Sequence, residues 1–129
     1  MQTRDDYFLS GELRLRFRDE GEGTPVVFLH GWTVDLDVWN PQAANLAGSM
    51  RVIRLDRRGF GLSQGRPSVA SDIVDLRTLL DRLGIPRVSL VGASQGARVA
   101  LGFAMRQPEY VLGLILDGPP DEIGEQDAA

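Results

Sequence analysis

The residues best suited to chemistry are Gly92-Ala93-Ser94-Gln95-Gly96, which place one hydroxyl between two glycines. They follow the apolar run Val88-Ser89-Leu90-Val91 and open a helical stretch from Gln95 to Gln107, stopped by Pro108. A serine on a tight strand-to-helix turn projects its hydroxyl above a sheet, where it can attack a carbonyl carbon. Flanking glycines let the strand and helix backbones pass close together. The pattern by itself is common, so a plain glycine-rich turn is the competing reading, and the strand-helix context favours the nucleophile. A second motif, His30-Gly31-Trp32, ends the apolar run Val26-Val27-Phe28-Leu29. The backbone N–H groups of Trp32 and Gln95 suit an oxyanion hole, and Gly31 lets the backbone turn close to a substrate carbonyl.

His30 is the only imidazole in the chain. Elbow-type sites carry their triad in the chain order Ser, acid, His. His30 precedes Ser94, so it reads as a structural histidine that braces its loop. Asp117 closes the run Val111-Leu112-Gly113-Leu114-Ile115-Leu116 at the same edge of the sheet. It is a candidate triad acid; the alternative is a loop residue capping the strand end. Asp56-Arg57-Arg58-Gly59-Phe60-Gly61-Leu62-Ser63 ends a further strand. The dinucleotide fingerprint G-x-G-x-x-G fails there because position 64 is Gln, so this segment reads as a loop-shaping motif without direct chemistry.

Composition removes other chemistries. With no cysteine there are no disulfides and no thiolates, and with one histidine there is no histidine-rich metal site. All 14 basic residues are arginine, which excludes a P-loop or Schiff-base lysine. The net charge of -4 argues against nucleic-acid binding. The cluster Arg51, Arg54, Arg57 and Arg58 reads as a solvated strand edge and loop, and Asp117, Asp121, Glu122, Glu125 and Asp127 form an acidic end. No apolar run approaches the roughly 18 residues of a membrane span, and the start lacks a signal-peptide pattern, so no membrane partner and a cytoplasmic location are expected.

These motifs need a frame. Tyr7-Phe8-Leu9 and Leu13 to Phe17 read as strands joined through Ser10-Gly11-Glu12, and Val26 to Leu29 as a strand buried on both faces. A helix over 40–46 with Pro41 in its first turn leads to a strand over 51–56. Ser71 is the expected cap of a helix through Leu83, which carries Ile73, Leu76 and Leu80 on one face. Strand-helix alternation implies a parallel sheet with helices on both faces, and a length of 129 residues implies one domain at most.

Four segments together resemble the α/β-hydrolase fold family, in its esterase-like and lactonase-like branch. They are Val26 to Trp32, the D-x-R-G-x-G-x-S loop from Asp56 to Ser63, the elbow from Gly92 to Gly96, and Leu114-Ile115-Leu116-Asp117. The resemblance spans Tyr7 to Pro120 but only the first half of the family's domain, which is roughly twice this length. It implies a mostly parallel, doubly wound α/β sheet in the order 1-2-4-3-5-6-7-8, truncated after the sixth strand. Residues 1–129 would then be a partial domain without cap or C-terminal catalytic segment. Ser94 would be the nucleophile that forms an acyl-enzyme, Trp32 and Gln95 the oxyanion donors, and Asp117 a candidate acid. No cofactor is implied, and the substrate would be a small ester, lactone or related carbonyl compound. Serine at the elbow disfavours the dehalogenase and epoxide-hydrolase branches, which use aspartate there.

The base that such a triad needs is expected beyond Ala129, as a histidine that pairs with Ser94. The competing reading is a non-catalytic half-domain that acts by binding or pairing with another chain. The sixth strand would leave its outer edge open, with Val88, Leu90, Leu114 and Leu116 the candidates for uncovered apolar surface, so the isolated chain is expected to self-associate or to fold poorly.

Overall fold

The computed structural model describes residues 4–118. Pro119-Pro120 and the acidic residues from Asp121 onward lie outside the described residues. The chain begins with a hairpin, β1 (Asp6–Ser10) against β2 (Leu13–Glu20), closed at Gly11 with φ +61°. β3 (Thr24–Leu29) follows, then a 3-10 turn (Leu36–Trp39), α1 (Asn40–Leu46), β4 (Met50–Leu55) and α2 (Val69–Leu83). β5 (Val88–Ala93), α3 (Gln95–Arg106), a second 3-10 turn (Pro108–Tyr110) and β6 (Val111–Asp117) complete it.

All six strands form one sheet in the order β1-β2-β4-β3-β5-β6. β2 is antiparallel to β1 and to β4, and the pairs β4–β3, β3–β5 and β5–β6 are parallel. The chain leaves β3 for β4 on one side and returns to place β5 on the other. The carboxyl ends of β3 and β5 therefore flank the switch in strand order, where such sheets bind ligands.

Alternation along β3 divides the core. Val27 and Leu29 face α2 and α3, in a cluster with Leu76, Leu80, Leu90 and Phe103. Val26 and Phe28 face the other side, with Trp39 and Ala43 beneath the 3-10 turn and α1. Period-two burial on both faces requires the continuous apolar run that this strand carries.

Helix ends follow from local chemistry, with one correction. α2 starts earlier than expected: Ser68, in extended backbone, is the cap and accepts from Ser71 N–H. Ser71 thus sits inside the first turn and donates, where the sequence reading made it the cap. Gly84 ends the helix in left-handed backbone at φ +69°, which returns its N–H to the last carbonyls.

The apolar surface left open also differs from expectation. Val88 and Leu90 are fully buried, because the strand alternation turns them toward α2 and α3. Among the described residues, those left open on this sheet edge are Leu114, as expected, with Leu112 and Ile115, the last 64% exposed, all on β6, which pairs there with β5 alone. α1 covers β3 and β4 and leaves this edge bare. A groove beside it is lined by Phe28, Leu46, Met50, Val91 and Ile115.

An apolar edge strand without an inward charge or a proline is a template for pairing with another chain. Light scattering on the 129-residue chain should therefore give a mass above that of a monomer, and Ile115→Lys should shift it toward the monomer. A monodisperse native monomer would contradict this.

Candidate functional site

Ser94 lies between β5 and α3 with φ 55° and ψ -118°, a conformation that costs a non-glycine residue about 1–3 kcal/mol. Three contacts hold it there. Ser94 N–H donates to the Asp117 carbonyl at 2.9 Å, which ties the elbow to the end of β6. Ala97 N–H donates to the Ser94 carbonyl at 3.0 Å, which starts the helix. Gly96 packs against the carbonyls of Leu29 and His30 so closely that a Cβ there would overlap both. The Ser94 hydroxyl makes no capping bond to the helix, and the residue is exposed.

The loop after β3 comes to the same point. A Cβ on Gly31 would stand 3.2 Å from Ser94 Cβ and 3.3 Å from the Ala93 carbonyl, tight contacts that glycine avoids, and 3.8 Å from Ser94 Oγ. Thr33 then takes φ 63°, a second strained position beside the first. The indole of Trp32 is half exposed and packs edge-on to Phe60, with centroids 5.2 Å apart, making an apolar wall beside the elbow.

The structure thus brings Ser94, Gln95, the Gly31–Trp32 backbone and Asp117 to one end of the sheet. The place of Asp117 there is set by its backbone, and its side chain is exposed.

His30 is fully buried. Its Nε2 accepts from Arg57 N–H at 2.9 Å, so Nδ1 carries the proton and donates to the Gly31 carbonyl at 2.8 Å. Both nitrogens are engaged in holding the two loops, as a structural histidine requires. Burial pushes its pKa down to about 4.

Asp56, at the end of β4, organises the next loop. Its carboxylate accepts from Leu36 N–H and Leu62 N–H, each at 2.8 Å, and pairs with Arg16. Gly61, at φ +55°, packs against that carboxylate with no room for a Cβ. Ser63 Oγ donates to the Asp56 carbonyl and accepts from Arg16 N–H. The D-x-R-G-x-G-x-S spacing is therefore a loop-shaping device.

The arginine cluster is not a solvated edge. Arg57 is fully buried and Arg54 is 2% exposed. Arg54 reaches Glu20, Asn40 and the Leu36 carbonyl, anchoring the 3-10 turn and α1 on β4. Arg57 donates to the His30 carbonyl, to Asp72 on α2 and to Gln95 Oε1. The sequence reading missed both Arg57 and Asp72. A signal existed: Asp72 and Asp75 fall on the inward stripe of α2 with Leu76 and Leu79, where an unpaired carboxylate would be costly.

The shifted groups give a pH prediction. The His30 pKa is lower in the fold than its ordinary 6.5, so the unfolded chain takes up a proton that the native ring refuses. That contribution is present above pH 6.5 and is lost as pH falls toward 4. Asp72 acts oppositely: burial, its largest cause, raises its pKa from 3.8 to about 6, and its contribution grows as pH falls through 6. Comparison with His30→Asn isolates the first effect. Between pH 7 and pH 4 the native protein should lose about 3 kcal/mol of unfolding free energy relative to the variant in denaturant titrations. Parallel pH curves would contradict the buried neutral histidine.

With this geometry in view, the similarities to known proteins are specific. A family model described as "alpha/beta hydrolase fold" matches residues 24–128. The chain is 37% identical over 118 residues to 2-hydroxy-6-oxo-2,4-heptadienoate hydrolase of Pseudomonas putida, covering 85% of this chain and 42% of that protein. It is 36% identical to 2-hydroxymuconate semialdehyde hydrolase of a Pseudomonas strain, covering 85% and 41%. Among solved structures, Est816, described as an N-acyl homoserine lactone degrading enzyme, superposes with a TM-score of 0.82 at 29% identity, covering 86% of this chain and 44% of that one. The epoxide hydrolase CorEH superposes with a TM-score of 0.85 at 28% identity, covering 89% and 42%. The chain thus spans about two fifths of the length of the relatives it matches. By sequence, strand order and elbow alike, the chain belongs to the α/β-hydrolase fold family.

Proposed function

We propose that this chain carries the nucleophile half of a serine hydrolase that acts on an ester, lactone or related carbonyl compound. One observation carries the reading: Ser94 is held exposed, in strained backbone, with Gly31 against it and its hydroxyl uncommitted to the helix. Strain kept at an exposed hydroxyl between two converging backbones is what a nucleophile elbow requires.

The chemistry separates the relatives. Attack of a serine oxygen on a lactone or ester carbonyl gives an acyl-enzyme that water can cleave. Attack on an epoxide would leave an ether, which water does not cleave, so a serine at the elbow suits the carbonyl substrates. Est816 is described by a lactone and the Pseudomonas putida relative by a 6-oxo compound, and both contain a carbonyl. The same reading gives Trp32 N–H and Gln95 N–H the role of oxyanion donors. Asp117 would be the acid, and the base would come from a histidine outside these 129 residues. His30 is buried with both nitrogens engaged and has no part in proton transfer.

A fluorophosphonate probe tests this directly. The full-length gene product should be labelled at Ser94, and Ser94→Ala should abolish the adduct, with ester or lactone hydrolysis falling on the order of a million-fold, as in a subtilisin stripped of its nucleophile. The 129-residue chain alone should label no more than its Ser94→Ala control, because a serine without a base stays weakly nucleophilic. Labelling that survives Ser94→Ala would overturn the assignment.

A further inference from the structure

We propose that Arg57 is the positioning residue of the Ser94 site, its one guanidinium holding together the two backbone segments that would bind an oxyanion. This rests on the serine-hydrolase reading. Arg57 Nε donates to the His30 carbonyl at 2.9 Å, two residues before the Trp32 N–H on the same loop. Arg57 Nη2 donates to Gln95 Oε1 at 2.8 Å, and the Gln95 backbone N–H is the second donor of the pair. Arg57 N–H donates to His30 Nε2, so the residue grips the first segment twice. The His30 carbonyl that it holds is also one against which Gly96 packs. Arg57 thus touches the elbow and the loop at once.

The third bond fixes the arginine itself. Nη1 donates to Asp72 Oδ2 at 2.8 Å, with Arg57 fully buried and Asp72 1% exposed. The guanidinium carbon lies 4.7 Å from the Phe60 ring centroid, and Phe60 in turn braces His30 and Trp32 by edge contacts. A buried planar fork that makes three directed bonds has few other places to go. A lysine could keep the charge beside Asp72 but could not span the same three acceptors. Asp75 and Arg58 are the other charged groups near Asp72, and they pair with each other at 2.7 Å, which leaves Arg57 as its close counter-ion.

The test uses the full-length gene product, with two readouts that can fail separately. Removing Arg57 alone would strand a buried carboxylate, so the main variant is the double change Arg57→Met with Asp72→Leu, which removes both charges together. The first readout is 15N relaxation at the Trp32 and Gln95 amides. Their order parameters should fall from about 0.85 to about 0.6 or below in the double variant, while Val27 and Leu90 in the core keep theirs. The second is inactivation by the fluorophosphonate probe. The inactivation rate constant should fall about tenfold or more with the probe's binding constant unchanged, because donors that wander cost transition-state stabilisation. Arg57→Lys, which keeps a charge beside Asp72, should remain folded with a cooperative unfolding transition but show the same loss of rate. A folded double variant with native order parameters and a native rate overturns the role, as does full activity in Arg57→Lys. A native protein that does not label overturns the hydrolase reading instead, whatever the relaxation data show.

Discussion

The approach of Gly96 to the carbonyls of Leu29 and His30 is the contact on which the site depends. It sets how close the first turn of α3 comes to the end of β3, and so where Ser94, two residues earlier, must sit. Gly92 is fixed in the same way, because a Cβ there would overlap the Gly96 carbonyl. With both glycines in place, β5 can end and α3 begin within a single residue. The positive φ of Ser94 is the geometric result. The strain there is about 1–3 kcal/mol, small beside the burial of Val27, Leu29, Leu90 and Phe103 around it, each worth roughly 1.5–3 kcal/mol. The core can therefore hold the serine in a shape it would not choose alone.

Around that contact the chain uses arginine and carboxylate where many proteins use apolar contacts alone. Asp56 gathers the 3-10 turn, the following loop and Arg16. Arg54 ties the turn and α1 to β4 and β2, and Arg57 ties α2, β3 and α3. Each buried charge meets an opposite one with directed bonds, the condition under which burying it is tolerable. The result is a set of loops at the carboxyl ends of the strands that are held by name-specific pairs, leaving Trp32 and Ser94 exposed among them.

How much of this could be read from the sequence follows a physical line. The elbow and the His30-Gly31-Trp32 loop were legible because local spacing and apolar runs mark them, while the strand order was legible only through the resemblance to the family and is the one the sheet adopts. The structural role of His30 was legible from its position before Ser94. The burial of Arg54 and Arg57 was not, because a charge goes inside only when a partner from another element meets it there; that of Asp72 left a trace in its place on the apolar stripe of α2. The cap of α2 was misplaced by three residues because Ser68 and Ser71 are equally good capping types, and extended backbone at Ser68 decides between them. Of the four residues expected on the open surface, Leu114 is exposed but Val88 and Leu90 are buried, because the side of the sheet that each strand residue faces depends on register against β3 and β6. The 3-10 turn over 36–39 was missed, although Asp35 caps it by accepting from Asp37 N–H, a local signal.

The central claim is that close backbone approach at Gly96 places the serine, and substitution by alanine tests it most directly. Gly48 is the control, since a Cβ there would meet nothing within 4 Å. Measured by denaturant titration, Gly96→Ala should lower the unfolding free energy by about 2 kcal/mol or more, the cost of forcing atoms into a packed contact. Gly48→Ala should be neutral or slightly stabilising. If Gly96→Ala costs no more than Gly48→Ala, the helix does not lean on β3 as described, and the placement of Ser94 has another cause.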